Sequence, residues 1–246
     1  MRRFGLIGYP LGHSFSGRYF AEKFEREGLA DCRYDLFPIT CIEALPALLA
    51  ETPGLEGLNV TIPYKELVLP FLDRSDPVVA QIGACNCMRI GADGITGHNT
   101  DVFGFAESLK PMLKAHHKSA LVLGTGGASK AVCHVLQELG IEYLMVSRKT
   151  DLPGVTAYEA LWDMGLENHT LIVNTTPLGM HPLIDEAPPI PYDALTARHL
   201  LYDLVYNPSV TRFMSLGIER GAAVMNGGEM LVLQAEESWR IWNGLR

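Results

Sequence analysis

Ala120-Leu121-Val122-Leu123, followed by Gly124-Thr125-Gly126-Gly127-Ala128-Ser129, is the stretch that decides the fold of this chain. The four apolar residues indicate a buried strand, and the glycine-rich loop after them opens a helix that Gly140 ends. Glycines at such a turn allow backbone N–H groups to approach the pyrophosphate of a dinucleotide, which the helix N-terminus also attracts. The same spacing occurs in ordinary turns, but its place between a strand and a helix favours a dinucleotide site.

The alternation of strand and helix patterns continues on the C-terminal side of this loop. Strands are predicted at residues 143–147, 171–174, 200–204 and 222–225, with helices between several of them and a last helix at 229–242. This alternation is typical of a parallel, doubly wound sheet.

A second set of elements precedes the glycine-rich loop. Strands are predicted at 4–9, 33–39, 57–61, 85–90 and 95–98, and helices at 17–27, 42–51 and 100–114, with another helix starting at Pro63 or just after it. We therefore predict an α/β fold with two domains. Residues 1–101 with 228–246 form an N-terminal α/β domain to which the C-terminal helix returns, and 102–227 form a Rossmann-type doubly wound dinucleotide domain.

Composition and charge narrow the classes of partner. A chain of 246 residues with 48% hydrophobic residues can bury a sizeable hydrophobic core. A net charge of −8 with scattered basic residues argues against nucleic acid or an anionic membrane as the partner. The first residues lack a signal-peptide core, and no segment approaches the ~20 apolar residues of a membrane span, so a cytoplasmic location is expected. The five cysteines are expected to be buried thiols, and no ligand spacing predicts a metal site. The partner is expected to be a small molecule, with the chain a monomer or a homodimer.

A basic pair marks the end of the strand after the glycine-rich loop. Arg148 follows Gly124 by 24 residues, in Ser147-Arg148-Lys149. NAD-preferring folds place an acidic residue there for the ribose hydroxyls, whereas basic side chains suit the 2′-phosphate of NADP. The alternative is that both charges are solvated loop residues. The coincidence with the glycine-rich loop favours NADP.

Polar residues in the first domain suggest chemistry at the carboxyl end of a sheet. Asn59, Thr61 and Lys65 follow a predicted strand, and Asp101 begins the connecting helix. A lysine can exchange a proton with a group that interconverts between ketone and alcohol. Taken alone, Lys65 could equally be a solvated lysine, and Asp101 an acid stabilised by the helix dipole.

Eight motifs in order resemble the shikimate dehydrogenase family from Gly8 to Gln234. They are Gly8-Tyr9-Pro10 with His13-Ser14-Phe15-Ser16; Asn59-Val60-Thr61-Ile62-Pro63-Tyr64-Lys65; Gly83-Ala84-Cys85-Asn86; Asn99-Thr100-Asp101; the glycine-rich loop; Asn174-Thr175-Thr176-Pro177-Leu178-Gly179-Met180; Tyr202-Asp203-Leu204-Val205-Tyr206-Asn207-Pro208; and Gly227-Gly228-Glu229-Met230-Leu231-Val232-Leu233-Gln234. Each motif alone is weak, but their order along the chain is specific.

The resemblance implies reversible, NADPH-dependent reduction of 3-dehydroshikimate to shikimate, a step of chorismate and aromatic amino acid biosynthesis. It implies Lys65 and Asp101 as the catalytic pair in a substrate-binding first domain. It implies a substrate set in which serines and a tyrosine hold the carboxylate and the other side chains address the ring: Ser14, Ser16, Asn59, Thr61, Asn86, Tyr206 and Gln234. It also implies a cofactor set for NADP(H): Gly124, Gly126, Gly127, Ala128, Ser129, Ser147, Arg148, Lys149, Thr175, Leu204, Gly227 and Met230.

Several of these residues have structural alternatives. The serines could cap a helix, Ser16 in particular, and Met230 alone could be a core residue. Gly17, Phe20 and Cys87 depart from the family pattern, and the segment after Lys149 is short. A quinate or quinate/shikimate dehydrogenase that uses NAD, and a non-catalytic ligand sensor, therefore remain as alternatives.

Overall fold

The computed structural model describes residues 1–12, 14–149 and 152–245. The chain divides into two compact units: unit 1 comprises residues 1–103 and 232–246, and unit 2 comprises 104–231. The domain boundaries predicted from the sequence, after residues 101 and 227, precede these unit boundaries. No helix in the described ranges is long and apolar enough to span a membrane.

Unit 1 contains a six-stranded mixed sheet in the order β2-β1-β3-β5-β6-β4. Strands β1, β2 and β3 run parallel, and β5 is antiparallel to both β3 and β6. Its elements are β1 (Arg2–Ile7), α1 (Phe15–Arg26), β2 (Cys32–Phe37), a 3-10 turn (Ile42–Ala44), α2 (Leu45–Glu51), β3 (Leu55–Val60), a 3-10 turn (Leu69–Phe71), β4 (Arg74–Ser75), α3 (Pro77–Ile82), β5 (Cys87–Gly91) and β6 (Gly94–His98).

The C-terminal residues close the aromatic core of unit 1. Trp242 stacks on Phe4 with ring centroids 4.9 Å apart and donates its indole N–H to the carbonyl of Met88 at 3.0 Å. A Cβ atom at Gly57 would lie 2.3 Å from the indole nitrogen, so β3 needs glycine where the tryptophan ring crosses it. Phe20 of α1 is fully buried in the same cluster. The predicted return of the C-terminal helix is thus confirmed.

Unit 2 contains a six-stranded parallel sheet in the order β12-β11-β10-β7-β8-β9. Counted from β7, this is the 3-2-1-4-5-6 strand order of a doubly wound dinucleotide fold, which confirms the predicted fold class. The elements that lie wholly in unit 2 are a 3-10 turn (Lys110–Met112), β7 (Ser119–Leu123), α5 (Gly127–Glu138), β8 (Glu142–Val146), β9 (Val155–Thr156), α6 (Ala160–Met164), β10 (Leu171–Asn174), a 3-10 turn (Tyr192–Ala194), β11 (Leu200–Asp203), α7 (Arg212–Glu219) and β12 (Ala223–Asn226). Two helices continue from one unit into the other: α4 (Thr100–Leu109) begins in unit 1, and α8 (Gly228–Trp242) ends in it.

The helix predicted to begin at Pro63 is wrong. Residues 61–68 form turns, in which the Tyr64 N–H donates to the Thr61 carbonyl at 2.9 Å. The Lys65 carbonyl accepts a hydrogen bond from Cys85 at 2.8 Å, so the segment is tied to the chain before β5. Not all cysteines are buried either, because Cys41 is exposed and Cys32 half-buried.

Candidate functional site

Lys65 and Asp101 form an ion pair in unit 1. The Lys65 Nζ lies 2.6 Å from Asp101 Oδ2, and the two side chains are 18% and 13% exposed. Lys65 comes from the turns after β3, and Asp101 lies in the first turn of α4, where the helix dipole favours its negative charge. The pair is well shielded yet still accessible. An ammonium group held in this way can transfer a proton, and the carboxylate can orient it.

A chain of buried amides and hydroxyls lies in the same unit. The Asn86 side-chain carbonyl accepts the Thr100 backbone N–H at 2.6 Å, and its amide donates to the Thr100 hydroxyl at 3.1 Å. That hydroxyl lies 3.3 Å from the Gln234 side-chain carbonyl and 3.2 Å from the Ser238 hydroxyl. Asn86 and Gln234 are only 3% and 6% exposed. The chain therefore fixes the orientation of both amides, which Asn and Gln need for specific recognition of alcohols.

Asn59 lies deeper in this chain of hydrogen bonds. Its amide donates to the Ser238 hydroxyl at 2.9 Å and to the Asn86 carbonyl at 3.3 Å, and its side-chain carbonyl accepts from the Tyr34 hydroxyl at 2.9 Å. Protein groups thus engage both ends of the Asn59 amide.

The two serines differ in their structural role. Ser14 is the N-cap of α1 and accepts the Gly17 N–H at 3.4 Å, so capping falls to Ser14 and not to Ser16. The helix begins at Phe15, two residues before the predicted start, which moves Ser16 into its first turn. The Ser16 side chain forms a hydrogen bond with the Tyr34 hydroxyl. Burial raises the pKa of Tyr34 well above its ordinary value, so the phenol stays a neutral donor.

Thr61 follows β3 and packs closely against the loop after β1. Its backbone N–H donates to the Ile7 carbonyl at 3.0 Å. A Cβ atom at Gly8 would lie 2.4 Å from the Thr61 methyl group, so this approach needs glycine. Thr61 is half-buried and belongs to the same segment after β3 that carries Lys65.

Sequence reasoning missed Tyr34, Thr100 and Ser238 as parts of this site. Each is an ordinary core or helix residue by pattern, and the Tyr34 and Ser238 partners of Asn59 lie 25 and 179 residues away along the chain. Thr100 lies within the motif Asn99-Thr100-Asp101, and this position is the signal by which it could have been found.

In unit 2 the glycine-rich loop forms an open cradle at the start of α5. Gly124 has φ +108°, and a Cβ atom there would lie 2.7 Å from the Thr175 hydroxyl. Gly126 is the N-cap of α5 without a side-chain cap, and among the described residues no atom beyond those of adjacent residues and the helix backbone lies within 4 Å of a Cβ built at Gly126 or Gly127. Open space, uncapped N–H groups and the helix dipole fit a pyrophosphate.

Ser129 differs from the other residues of the loop because its side chain is buried and bonded within the loop. It is 1% exposed, and both its backbone N–H and its hydroxyl donate to the Gly126 carbonyl, at 3.0 and 2.6 Å. Ser129 thus closes the loop, and Ala128 next to it is half-buried.

The basic pair follows β8. Arg148 and Lys149 are both exposed. Ser147 is buried, and its hydroxyl accepts the Lys149 N–H at 3.1 Å, which shapes the turn that carries the two charges. Two exposed basic side chains on an ordered turn can bind a phosphate dianion.

The remaining predicted cofactor residues lie in unit 2 after the central strands. Thr175 donates its hydroxyl to the Leu123 carbonyl at 2.7 Å. Gly227 is buried, and a Cβ atom there would lie 2.2 Å from the Leu204 carbonyl oxygen. Met230 is 7% exposed. Tyr206, predicted to help hold the substrate carboxylate, is 37% exposed and follows β11.

Within the described ranges, no group of three or more His, Cys, Asp or Glu side chains could hold a metal ion.

The chain is similar in sequence to one family of known proteins. Residues 6–88 match the family described as the shikimate dehydrogenase substrate binding domain. A shikimate dehydrogenase (NADP(+)) of Carboxydothermus hydrogenoformans is 34% identical, over 98% of this chain and 91% of the relative.

Solved structures of two relatives share the fold. The chorismate mutase/shikimate 5-dehydrogenase fusion protein of Clostridium acetobutylicum is 34% identical with a TM-score of 0.90, covering 100% of this chain and 92% of the other. The shikimate 5-dehydrogenase of Thermus thermophilus, solved with NADP(H) and shikimate, is 33% identical with a TM-score of 0.87, covering 100% and 94%.

Proposed function

The chain belongs to the shikimate dehydrogenase family, and from this premise we propose that it interconverts 3-dehydroshikimate and shikimate with NADP(H). It is thus an oxidoreductase acting on a CH–OH group, in the biosynthesis of chorismate and aromatic amino acids. The Lys65–Asp101 ion pair, at 2.6 Å within the unit that includes the family match, is the observation that carries this proposal.

Lys65 and Asp101 would handle the proton of the reaction. Bound NADPH supplies the hydride that adds to the ketone carbon. Lys65 donates a proton from Nζ to the oxygen that becomes the alcohol, and takes it back when shikimate is oxidised. Asp101 holds the Lys65 Nζ in place through the 2.6 Å contact.

Substrate recognition would divide between hydroxyl and amide groups. Ser14, Ser16 and Tyr206 would hold the carboxylate, because hydroxyl donors bind an anion without a full countercharge. The ring hydroxyls would pair with Thr61, Asn86, Asp101 and Gln234. Asn59, whose amide already forms hydrogen bonds with Tyr34 and Ser238, would keep these side chains in place.

The cofactor would be held by the elements of unit 2. The backbone of Gly124, Gly126, Gly127 and Ala128 would contact the pyrophosphate, and Ser129 would hold that loop in shape. Ser147, Arg148 and Lys149 would bind the adenosine phosphate. The nicotinamide side would contact Thr175, Leu204, Gly227 and Met230.

The two alternatives are not favoured. Three curated relatives that are 32–35% identical over nearly the whole chain are named shikimate dehydrogenase (NADP(+)). A pure ligand sensor needs no proton relay, whereas Lys65 and Asp101 are both present and paired. The cytoplasmic location and the monomeric or dimeric state stay predictions.

A steady-state assay tests the proposal. NADP+ reduction by purified protein is followed at 340 nm with shikimate or quinate, and repeated with NAD+. We expect the highest kcat/KM for shikimate with NADP+. Higher efficiency with quinate, or with NAD+, would support the alternative enzyme, and no turnover despite binding of both ligands would support the sensor.

The variant Arg148→Ala tests the phosphate contact in the same assay. We expect kcat/KM with NADP+ to fall about tenfold or more, since a charge-assisted hydrogen bond contributes roughly 1.5–3 kcal/mol. The value with NAD+ should change little. Arg198→Ala, an exposed arginine elsewhere in unit 2, serves as the control.

A further inference from the structure

A buried carboxylate lies at the end of β11, outside the residues assigned above. Asp203 is the last residue of the strand and is 0% exposed. In the part of the chain that the structure describes, its carboxylate forms hydrogen bonds but no ion pair. Burying a carboxylate without a countercharge destabilises a fold, so we expect the contacts of Asp203 to serve a function that explains it.

Three donors surround the two oxygens of Asp203. Oδ1 accepts the Asn174 side-chain amide at 2.9 Å and the Val205 backbone N–H at 3.0 Å. Oδ2 accepts the Thr211 hydroxyl at 2.6 Å. Asn174 ends β10 and pairs with Asp203 in the sheet register, so the first bond joins the ends of neighbouring strands. The same carboxylate therefore ties together three segments.

The hydrogen bonds continue from Asn174 into the loop after β10. With its amide held by Asp203, the Asn174 side-chain carbonyl accepts the backbone N–H of Thr176 at 3.0 Å and its hydroxyl at 2.7 Å. The Asn174 amide also donates to the Leu178 carbonyl at 3.3 Å. The loop that carries Thr175 is thus organised by one amide in one orientation.

The loop after β11 is fixed in the same way. The Val205 N–H points to Asp203 Oδ1, the Leu204 N–H donates to the Asn174 backbone carbonyl at 3.0 Å, and the Val205 carbonyl accepts the Gly227 N–H at 3.2 Å. Leu204 and Gly227 are the residues proposed above for the nicotinamide side. Both loops therefore depend on the atoms around Asp203.

We propose that Asp203 is a positioning residue that holds the loops at 174–178 and 204–206 in the geometry that binds NADP(H). This inference rests on the proposed cofactor site. An ionised carboxylate only accepts hydrogen bonds, so every neighbour must donate, and the Asn174 amide can take only the orientation that leaves its carbonyl for Thr176. The pKa of Asp203 is raised to about 6, because burial raises it by more than the hydrogen bonds from Thr211, Val205 and Asn174 lower it, so the group is ionised at pH 8.

NADPH affinity tests the inference through three variants of the full-length protein. NADPH fluorescence titration at pH 8, well below the unfolding temperature, gives the dissociation constant. Asp203→Ala removes both acceptor oxygens and all three hydrogen bonds, and it is expected to weaken NADPH binding about tenfold, the effect of losing about two net hydrogen bonds. Asp203→Asn keeps the acceptor for Val205 and Asn174, while its amide can donate to Thr211, so affinity is expected to stay within about threefold.

Thr211→Val is the matched control. It removes the bond to Oδ2 and the cap of α7, which accepts the Met214 N–H at 3.3 Å, but leaves both bonds to Oδ1. Thr211→Val and Asp203→Ala are both expected to lower the thermal midpoint, whereas only Asp203→Ala is expected to weaken NADPH binding. A purely structural role would lower stability in both variants without this difference in affinity.

The results separate this inference from the proposed function. An affinity of Asp203→Ala within twofold of the parent, or an equal loss in Asp203→Asn or Thr211→Val, would overturn the inference. If Asp203→Ala does not fold, Asn174→Leu breaks the link to Oδ1 from the other side, and unchanged NADPH affinity there refutes it equally. Absence of shikimate oxidation by the parent protein with normal NADPH binding contradicts the proposed activity only.

Discussion

Replacing Lys65 by methionine tests the proton-transfer role most directly. Methionine keeps the length of the side chain but removes Nζ, which lies 2.6 Å from Asp101 Oδ2. A positioned acid–base group contributes about 10²- to 10⁴-fold to a rate, so we expect kcat to fall by that factor, or about 3–5 kcal/mol in the barrier. The KM for shikimate should rise no more than about threefold, because other side chains would hold the carboxylate and the ring.

Lys110→Met supplies the control for the loss of a lysine ion pair. Lys110 Nζ also lies 2.6 Å from a carboxylate, that of Glu107, but these side chains are 50% and 41% exposed. An exposed pair of this kind contributes about 0–1 kcal/mol to stability and has no part in the proposed chemistry. We expect its kcat to match that of the parent.

Initial rates of NADP+ reduction with both substrates varied give kcat and each KM. A kcat for Lys65→Met within tenfold of the parent would refute the reasoning, as would a rise in KM as large as the fall in kcat. Circular dichroism spectra and thermal midpoints of both variants show whether the fold is kept, so a folding defect is not read as a catalytic one.

Three further predictions concern contacts inside each unit. Ser238→Ala should raise the KM for shikimate about fivefold, because it removes the hydroxyl that holds the Asn59 amide and the Thr100 hydroxyl. Ser108→Ala, at another buried helix serine that also donates to the carbonyl four residues before it, should leave that KM unchanged. Because burial raises the pKa of Asp203 from 3.8 to about 6, its stabilising contribution is present below pH ~4 and is lost as pH rises through about 6. Urea unfolding should therefore show Asp203→Asn gaining stability relative to the parent between pH 5 and pH 8, by about 1.4 kcal/mol, and an equal pH dependence of both would contradict this. Gly227→Ala places a Cβ atom 2.2 Å from the Leu204 carbonyl oxygen. Calorimetry should therefore show a thermal midpoint lower by about 5 °C, and titration should show weaker NADPH binding. A thermal midpoint within about 1 °C of the parent would show that the loop accommodates the methyl group without strain.

Local patterns predicted much of the fold. The apolar run at 120–123 and the glycines after it predicted β7 and α5, and the predicted strand at 171–174 is β10. These elements are specified by side chains close in sequence, namely apolar residues that must be buried and glycines that permit positive φ. The same reasoning failed at Pro63, where a hydrogen bond from Cys85 to the Lys65 carbonyl helps to hold a series of turns.

The site divides in the same way. The sequence by itself determined that Lys65, Asp101 and the glycine-rich loop belong to one ordered set of motifs. Only the tertiary structure decided that Lys65 meets Asp101, and that Asn59 is enclosed by Tyr34 and Ser238, which lie 25 and 179 residues from it. The physical reason is that a hydrogen bond depends on distances of about 3 Å between side chains, which the folded backbone sets and residue order does not record.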